Sequence, residues 1–498
     1  MKRSAKRNKG ITLIALVITI IVLLILAGVT IASLSGDNGI IARGVEAKEK
    51  SKIGELIDSA RLEIAEKQLL KEDSNITEEE LKNILVPKYG QIENLESLVS
   101  INDAILTTID NYKIPVKDIY ECKIQAVRNP SMFEFDVQNG LIKGIKKEYF
   151  EAELNGLANV LKEPVDILVI PNQIGGNQVK SVENIRISNV NKIIVEEGIE
   201  ELGLQAFSDC YSLKNISLPK SIEHIGKDAF YMCKALKYIN IPSEVKKIDS
   251  YAFGSCRALQ EMIIPKNVNT IGNNVFKDCS ALLNVKIEAS NIILDDNDYN
   301  SSGRQLFWEC TNLKSVEMCG NMKYIPFQMF ALCENLQNLI LPESIEYIDW
   351  GAFESCKNLK ELNISKNVKS IGKDEDVYGA FHNVNKLERI NIDPLNTVYL
   401  SKDGVVYSKD GTKLLYYPSG KIDNKFIVGS EIVKIGRYCF GNAFLKDIYF
   451  EHENQLPPID TNMFDTYYMK NVKFHFKNSE VASQFPEGIG EKIVDNNV

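Results

Sequence analysis

The chain holds ten cysteines and four histidines, the side chains that most often carry metal, redox or nucleophilic chemistry. Cysteines in that number ordinarily read as a disulfide framework. Their spacing says otherwise. Cys210, Cys233, Cys256, Cys279, Cys310, Cys333 and Cys356 each stand three residues after a phenylalanine: Phe207, Phe230, Phe253, Phe276, Phe307, Phe330 and Phe353. Steps of 23 separate these phenylalanines, except for a step of 31 into Phe307. A leucine follows each phenylalanine by six residues, from Leu213 to Leu359. One thiol per repeat, always at one position, reads as a ladder of small buried side chains, because free cysteine is among the most buried residue types. Burial raises a thiol's pKa and makes it inert.

The remaining chemistry-bearing residues form no constellation. His224, His382, His452 and His475 are scattered, with no HExxH and no CxxC. His224, between Ile222 and Ile225, falls at an outward repeat position and is expected to be a surface histidine. Asp296, Asp298 and Asn300 have the alternate spacing of a Ca²⁺ loop. No glycine stands at the sixth loop position and no glutamate at the twelfth, so a solvated loop is the expectation and no metal or cofactor is assigned. Cys122, Cys319 and Cys439 lie off the ladder; a disulfide among them is open outside the cell, and nothing in the sequence pairs them. No phosphate-cradling or nucleophile-elbow motif is present. The net charge of −9, with no basic stripe through the repeats, argues against nucleic acid as a partner. The expectation is a protein that binds and does no chemistry.

A fixed period of this length marks a solenoid. In the Phe230 copy, Phe230 and Cys233 are three apart, so a single helical turn would point both inward. Ile239 and Ile241 alternate with Asn240, a strand with one buried face, and Pro242 ends it. Val245 and Ile248 open a second short strand, and Gly or Asp next, as at Gly226, Asp249, Gly272, Asp349 and Gly372, permits the turn back. Each coil is thus expected to hold two strands and a helical turn. One coil cannot bury its own apolar face, but stacked coils can, with parallel strands about 4.8 Å apart. The recurring Leu-x-x-Ile-x-Ile-Pro-x-x-Val-x-x-Ile-Gly-x-x-Ala-Phe-x-x-Cys resembles the BspA-like (Treponema pallidum-type) leucine-rich repeat family, from about Phe133 to the C-terminus. Members are typically surface proteins, and some bind matrix proteins or other cells. The resemblance implies an interaction module with an extracellular protein or cell-surface ligand.

The N-terminus carries Lys2, Arg3, Lys6, Arg7 and Lys9, then 11–34 without a charge or proline, long enough to cross a bilayer. The basic flank places the rest of the chain outside the cell. The run Lys9-Gly10-Ile11-Thr12-Leu13-Ile14-Ala15-Leu16-Val17 resembles the leader junction of type IV prepilins. That resemblance implies cleavage between Gly10 and Ile11 by a prepilin peptidase, and methylation of the new N-terminus. Pilins usually carry glutamate at the fifth mature position, where this chain has Ala15, which sets filament assembly in doubt.

The expected organisation is a leader at 1–10, a transmembrane, pilin-like helix at 11–34, an amphipathic helical stalk at 35–90, a small β module at 91–130 and the solenoid at 131–498. In the stalk, Ile53, Leu56, Ile57, Ala60 and Ile64 share one helical face, and Thr77-Glu78-Glu79-Glu80 starts a helix that Pro87 and Gly90 should end. Hairpins are expected at 104–116 and 133–145. The period lengthens at 291–304 and again at Asp374-Glu375-Asp376, and Val384 replaces a ladder cysteine. A hairpin inserted at 400–418 interrupts the repeats, which resume at Ile432–Phe440. Val472–Phe476 and Ser479–Gln484 read as a C-terminal cap.

Overall fold

The computed structural model describes residues 126–498 apart from 155–157, 162–164, 290–292, 295–304, 319–321, 373–376, 460–471 and 496–498. Before these it describes 78–93, 105–108, 113–115 and the single positions 57, 60 and 64. The expected leader and membrane helix lie outside the described residues. Among the described residues no helix is long and apolar enough to cross a membrane.

The chain divides into two compact units, Met1–Ile124 and Gln125–Val498. In the first, Ala60 and Ile64 are buried, as are Leu81 and Leu85 on the helix Glu78–Tyr89. That helix passes through Pro87 rather than stopping there, and the chain leaves it at Gly90. Proline removes one backbone donor; placed in the last turn it costs this helix one bond. The hairpin of Ile105–Thr108 and Lys113–Pro115 is present, with Leu106 opposite Ile114 and both buried. A third strand, Gly90–Glu93, pairs antiparallel with Ile105–Thr108. Its one apolar residue, Ile92, gives no alternation to read.

The second unit is a β-solenoid of about twelve turns. Its first edge is the antiparallel hairpin Phe133–Asp136/Leu141–Ile145. From Leu141-Ile142 a parallel sheet of two-residue strands runs through Ser181-Val182, Glu201-Leu202, His224-Ile225, Lys247-Ile248, Thr270-Ile271 and Ile293-Leu294. Tyr324-Ile325, Tyr347-Ile348 and Ser370-Ile371 form a further sheet of the same kind. The opposite wall is made of longer strands, among them Val165–Ile170, Val190–Val195, Glu261–Ile264, Asn284–Ile287 and Ser315–Met318, again parallel. The strand expected at Ile239-Asn240-Ile241 is not formed, and the wall is broken there: Ile241 is buried and Gln260 N reaches Lys237 O (3.1 Å), but the alternating burial is not accompanied by a continuous ladder to either neighbouring coil. Short strands follow from the repeat: with 23 residues per coil and a proline or turn at each corner, few residues remain for each side.

The third side of the coil is not the helical turn that Phe-x-x-Cys suggests. Gln205, Asp209, Asp228, Met232, Tyr251, Ser255, Asn274 and Asp278 all have positive φ, two in each coil on either side of the phenylalanine. A helical turn would keep its N–H groups within its own coil. Here alternate peptides turn to the next one: Phe207 N donates to Ala229 O (2.7 Å), Asp209 N to Tyr231 O (2.8 Å), and Phe230 N to Ala252 O (2.7 Å). Only the intervening groups close locally, as Cys233 N does on Phe230 O (3.1 Å). Holding non-glycine residues left-handed costs about 1–2 kcal/mol each, offset by satisfying buried backbone groups that would otherwise be orphaned. Gly272 does not serve as a left-handed turn residue: a Cβ there would lie 2.3 Å from Ser250 N, so its role is close approach between coils.

The phenylalanines stack along the axis. Successive rings from Phe207 to Phe353 are 5.3 to 5.8 Å apart, and all are fully buried. Phe381 adds the next rung, 5.5 Å beyond Phe353, with Val384 buried at the position that elsewhere holds a cysteine.

The inserted segment is larger than a hairpin. Tyr399–Lys402, Val405–Ser408 and Lys413–Tyr416 form an antiparallel meander. Lys413–Tyr416 then pairs in parallel with Lys434-Ile435 and returns the chain to the solenoid. The first strand was hidden because Tyr399-Leu400-Ser401-Lys402 does not alternate cleanly; the Asp403-Gly404 turn, with both residues at positive φ, makes it possible. Two further hairpins gave no clear sequence signal, Phe150–Leu154/Ala158–Leu161 and Gln173–Ile174/Asn177–Gln178 around Gly175-Gly176. The last four strands, Lys425–Val428, Asp447–Phe450, Lys473–Phe476 and Glu491–Val494, are parallel and close the described stack with the short helix Ser479–Ser483.

Replacing Phe230 by alanine removes a ring from both neighbours and leaves a cavity, so Phe230→Ala is expected to destabilise the stack by about 3–5 kcal/mol. Urea unfolding followed by circular dichroism measures this; an unchanged curve would contradict the core role of the rung.

Candidate functional site

The ladder thiols are free and buried. They do more than fill space. Cys233 Sγ donates to Phe207 O at 3.1 Å, Cys256 to Phe230 O at 3.1 Å and Cys279 to Phe253 O at 3.1 Å. Cys310, Cys333 and Cys356 repeat the contact with Phe276, Phe307 and Phe330 at 3.0 to 3.2 Å, and Cys210 reaches Ile185 O at 3.1 Å. Each thiol thus hydrogen-bonds the coil before it, and from Cys233 to Cys356 it does so through the same carbonyl that closes the local turn. Burial pushes the thiols of Cys233, Cys256, Cys279, Cys310, Cys333 and Cys356 well up from their ordinary value. Cys439 is also buried and free, its thiol likewise pushed up by burial. Cys122 and Cys319 lie outside the described residues. Alkylation at neutral pH should therefore leave the ladder peptides unmodified in the folded chain and label them fully in denaturant. Peptide mass spectrometry reads the outcome, and labelling of native Cys233 or Cys256 at the rate of a free thiol would contradict it.

The histidines are not the surface residues that the sequence suggests: His452 and His475 are buried and His224 and His382 half-buried. His224 Nδ1 lies 2.9 Å from Glu201 Oε1 and its Nε2 lies 2.8 Å from Asp249 Oδ2, so one ring bridges the coils before and after its own. Both partners are acceptors, so the imidazole meets both only when each nitrogen carries a proton. The Asp249 hydrogen bond, against the opposing effect of burial, raises the His224 pKa above the ordinary 6.5. Burial alone would raise Asp249, but hydrogen bonds from His224 and Lys247 outweigh it and lower that carboxyl. His475 Nε2 is 2.8 Å from Asp447 Oδ1, and its ring stacks on Tyr449. His382 sits 3.6 Å from Glu354, and His452 bonds Ile432 O at 2.8 Å. The signal that finds such partners is the repeat itself: Glu201 and Asp249 stand about one period either side of His224.

This linkage has a definite sign. A histidine whose folded pKa is raised stabilises fully below its unfolded pKa, and the stabilisation fades as pH rises through the folded value. The stability difference between the native chain and His224→Gln should be largest on the acid side of 6.5. It should shrink as pH climbs above that value, with protonation of Asp249 limiting it at low pH. Denaturation midpoints across pH test this, and a pH-independent difference would remove the ion-pair reading.

Asp296, Asp298 and Asn300 lie outside the described residues. Among the described residues no group of histidine, cysteine or carboxylate side chains is arranged to hold a metal ion. The outer faces are where the coils differ. Along one outward column of the longer strands the paired positions read Glu261, Asn284 and Ser315, and along the next Ile263, Lys286, Glu317 and Ile340. Inside, the same rungs repeat phenylalanine, cysteine, leucine and isoleucine with little change.

Stacked parallel coils with a recurring leucine and an internal phenylalanine ladder define a leucine-rich-repeat solenoid. The chain belongs to the BspA type leucine rich repeat family, whose model matches residues 185–303, 288–402 and 416–485. Among solved structures it is similar to the leucine-rich repeat protein of T. pallidum, at 23% identity and TM-score 0.31, covering 39% of this chain and 92% of that one. It is similar also to a leucine-rich cell surface protein from Faecalibacterium prausnitzii, at 20% identity and TM-score 0.35, covering 75% and 86% of the two chains. A leucine-rich repeat protein from Bacteroides ovatus is 20% identical with TM-score 0.43, covering 76% of this chain and 91% of that one. None of the curated proteins matches the chain.

Proposed function

We propose that this chain is a bacterial surface protein that binds a protein or cell-surface ligand through the outside of its solenoid, in the manner of an adhesin, and catalyses no reaction. The observation that carries this reading is the contrast between the two sides of the coil. The interior repeats Phe and Cys rung after rung, whereas the outward columns change identity from coil to coil. A rigid scaffold with an invariant interior and a varied exterior supplies a large, preorganised surface, and preorganisation lowers the cost of binding.

Display follows from the N-terminal sequence. The basic flank and the apolar segment at 11–34 anchor the chain with its repeats outside. The junction at Gly10 and Ile11 is processed by prepilin peptidase. A minor pilin or pseudopilin subunit is the second reading; Ala15, in place of the usual glutamate, weighs against it.

Mature protein isolated from membranes should begin at Ile11. Mass spectrometry of the N-terminal peptide decides this, and an intact Met1 would remove the prepilin reading. Beads coated with the chain should be retained on wells carrying extracellular matrix protein or whole cells. Retention no greater than that of uncoated beads would overturn the binding reading.

A further inference from the structure

Four exposed or half-buried aromatic side chains gather on two adjacent coils, and neither the ladder nor the core uses them. Tyr324 and Tyr347 occupy paired outward positions of neighbouring short strands, their rings 4.9 Å apart and 13° from parallel. Three residues further along each coil, Phe327 and Trp350 repeat the arrangement at 5.7 Å and 14°. Tyr324 is 48% exposed and Trp350 36%. In the other coils of the two short-strand sheets the position of Tyr324 is held by Leu141, Ser181, Glu201, His224, Lys247, Thr270, Ile293 or Ser370, so the aromatic block is local to two coils. These are also the two coils between the places where the count of 23 lengthens. Apart from Ile293-Leu294, those insertions lie outside the described residues, and they form no part of the site.

The geometry says what kind of surface this is. Atoms of stacked rings meet at about 3.5–4.0 Å. Rings whose centres are 4.9 and 5.7 Å apart and nearly parallel must therefore be slipped, which leaves part of each face uncovered. The result is two short staircases of partly open ring faces, each climbing one coil. Hydrogen-bonding side chains line both outer margins at the same spacing. On the tyrosine side, Glu346 is shared by Lys323 at 3.3 Å and Lys369, whose Nζ also lies 5.9 Å from the Tyr347 ring. On the other side Gln328 donates to Glu354 at 2.7 Å, and Glu354 meets His382. Each margin is thus already tied up within itself, Glu346 with two lysines and Glu354 with Gln328 and His382, and Asp349 accepts from the Trp350 backbone N–H.

An uncharged ligand with flat apolar faces and a rim of hydroxyls fits this combination. We propose that Tyr324, Phe327, Tyr347 and Trp350 form a binding platform for a neutral polysaccharide. Its pyranose rings pack their C–H faces on the open ring surfaces and its hydroxyls reach the polar margins. The coil-to-coil spacing of the rings is close to the repeat of an extended pyranose chain, so consecutive sugars meet consecutive coils. An anionic glycan would have to compete with Glu346 for its two lysines. The inference rests on the surface-binding reading above and names the ligand class for one part of that surface.

The full chain in mild detergent is incubated with cellulose, chitin and an insoluble β-1,3-glucan, and its depletion from solution is measured. At least one polymer should deplete it. The double variant Tyr324→Ala/Trp350→Ala should bind that polymer about tenfold more weakly or less, with an unchanged melting temperature, while Tyr238→Ala, an exposed tyrosine on the opposite wall, should bind as the native chain does. Depletion by none of the three polymers, or equal depletion of native and double variant, overturns the platform. A second measurement is independent of those substitutions. The sequence has two tryptophans, so Trp308→Phe leaves Trp350 as sole reporter. Soluble oligosaccharides of the retained polymer should change its fluorescence saturably, and an unchanged spectrum overturns the proposal. A double variant that still holds beads to matrix or cells, from a chain that no polymer depletes, would leave the adhesive reading standing and remove this one.

Discussion

Among the described residues, the coils of this solenoid satisfy much of their backbone through their neighbours. On two sides the coupling is ordinary parallel β pairing. On the third it comes from alternating left-handed residues that send every second N–H across to the next coil. Only the intervening groups of the third side close within a coil, too few to give a single coil a folded state of its own. The phenylalanine stack and the thiol hydrogen bonds sit inside that frame and depend on it. A thiol reaches the carbonyl of the previous coil because the main chain has already fixed the two coils at one spacing. Stability is then a sum of nearest-neighbour terms, and damage at one rung is felt by the two beside it.

The outside of the molecule answers to a different rule. Positions that point outward are one period from their equivalents, so each side chain has a neighbour above and below it in space. His224 uses both neighbours, Glu201 and Asp249. Lys323, Glu346 and Lys369 make a similar column. Tyr324 and Tyr347 make an aromatic one. A solenoid thus turns a sequence interval into a contact, and residues with no local relation act as clusters.

Much of this was legible in the sequence because the repeat states the same information many times. The Phe, Cys and Leu positions and the parallel stacking follow from periodicity and burial; the alternation before Pro242 gave the burial of Ile241 but not a strand, because pairing is set by the neighbouring coils. The third side was misread because three-residue spacing fits both a helical turn and a turn with left-handed flanks. Spacing alone does not distinguish them; the polar residues at Asp209, Asp228, Asn274 and Asp278, types that tolerate positive φ, were the available hint. Pro87 does not stop its helix, because in the last turn a missing N–H costs a single bond. The strands at Gly90–Glu93 and Tyr399–Lys402 were missed because they are too short to show alternation and are defined by their partners. Among the candidate residues, the ladder cysteines could be placed by count alone. The partners of the histidines and the aromatic block required the coils to be laid one on another.

The meander at Tyr399–Tyr416 shows how a foreign segment can sit inside so regular an object. Its side chains divide: Val406, Leu415 and Tyr416 join the core before it, and Val405, Tyr407, Leu414 and Tyr417 the core after it. Tyr416 stacks on Phe381 at 5.5 Å, so a residue of the insertion stands where the next phenylalanine would have been. Tyr417, beside it, packs against Phe440 of the resumed repeats. The beat of this molecule is therefore kept along its axis and not along its chain. Any segment that supplies one aromatic rung, one pair of strand edges and two apolar faces can be spliced in without the coils beyond it losing step, which gives such proteins a way to acquire new surface without paying for it in scaffold.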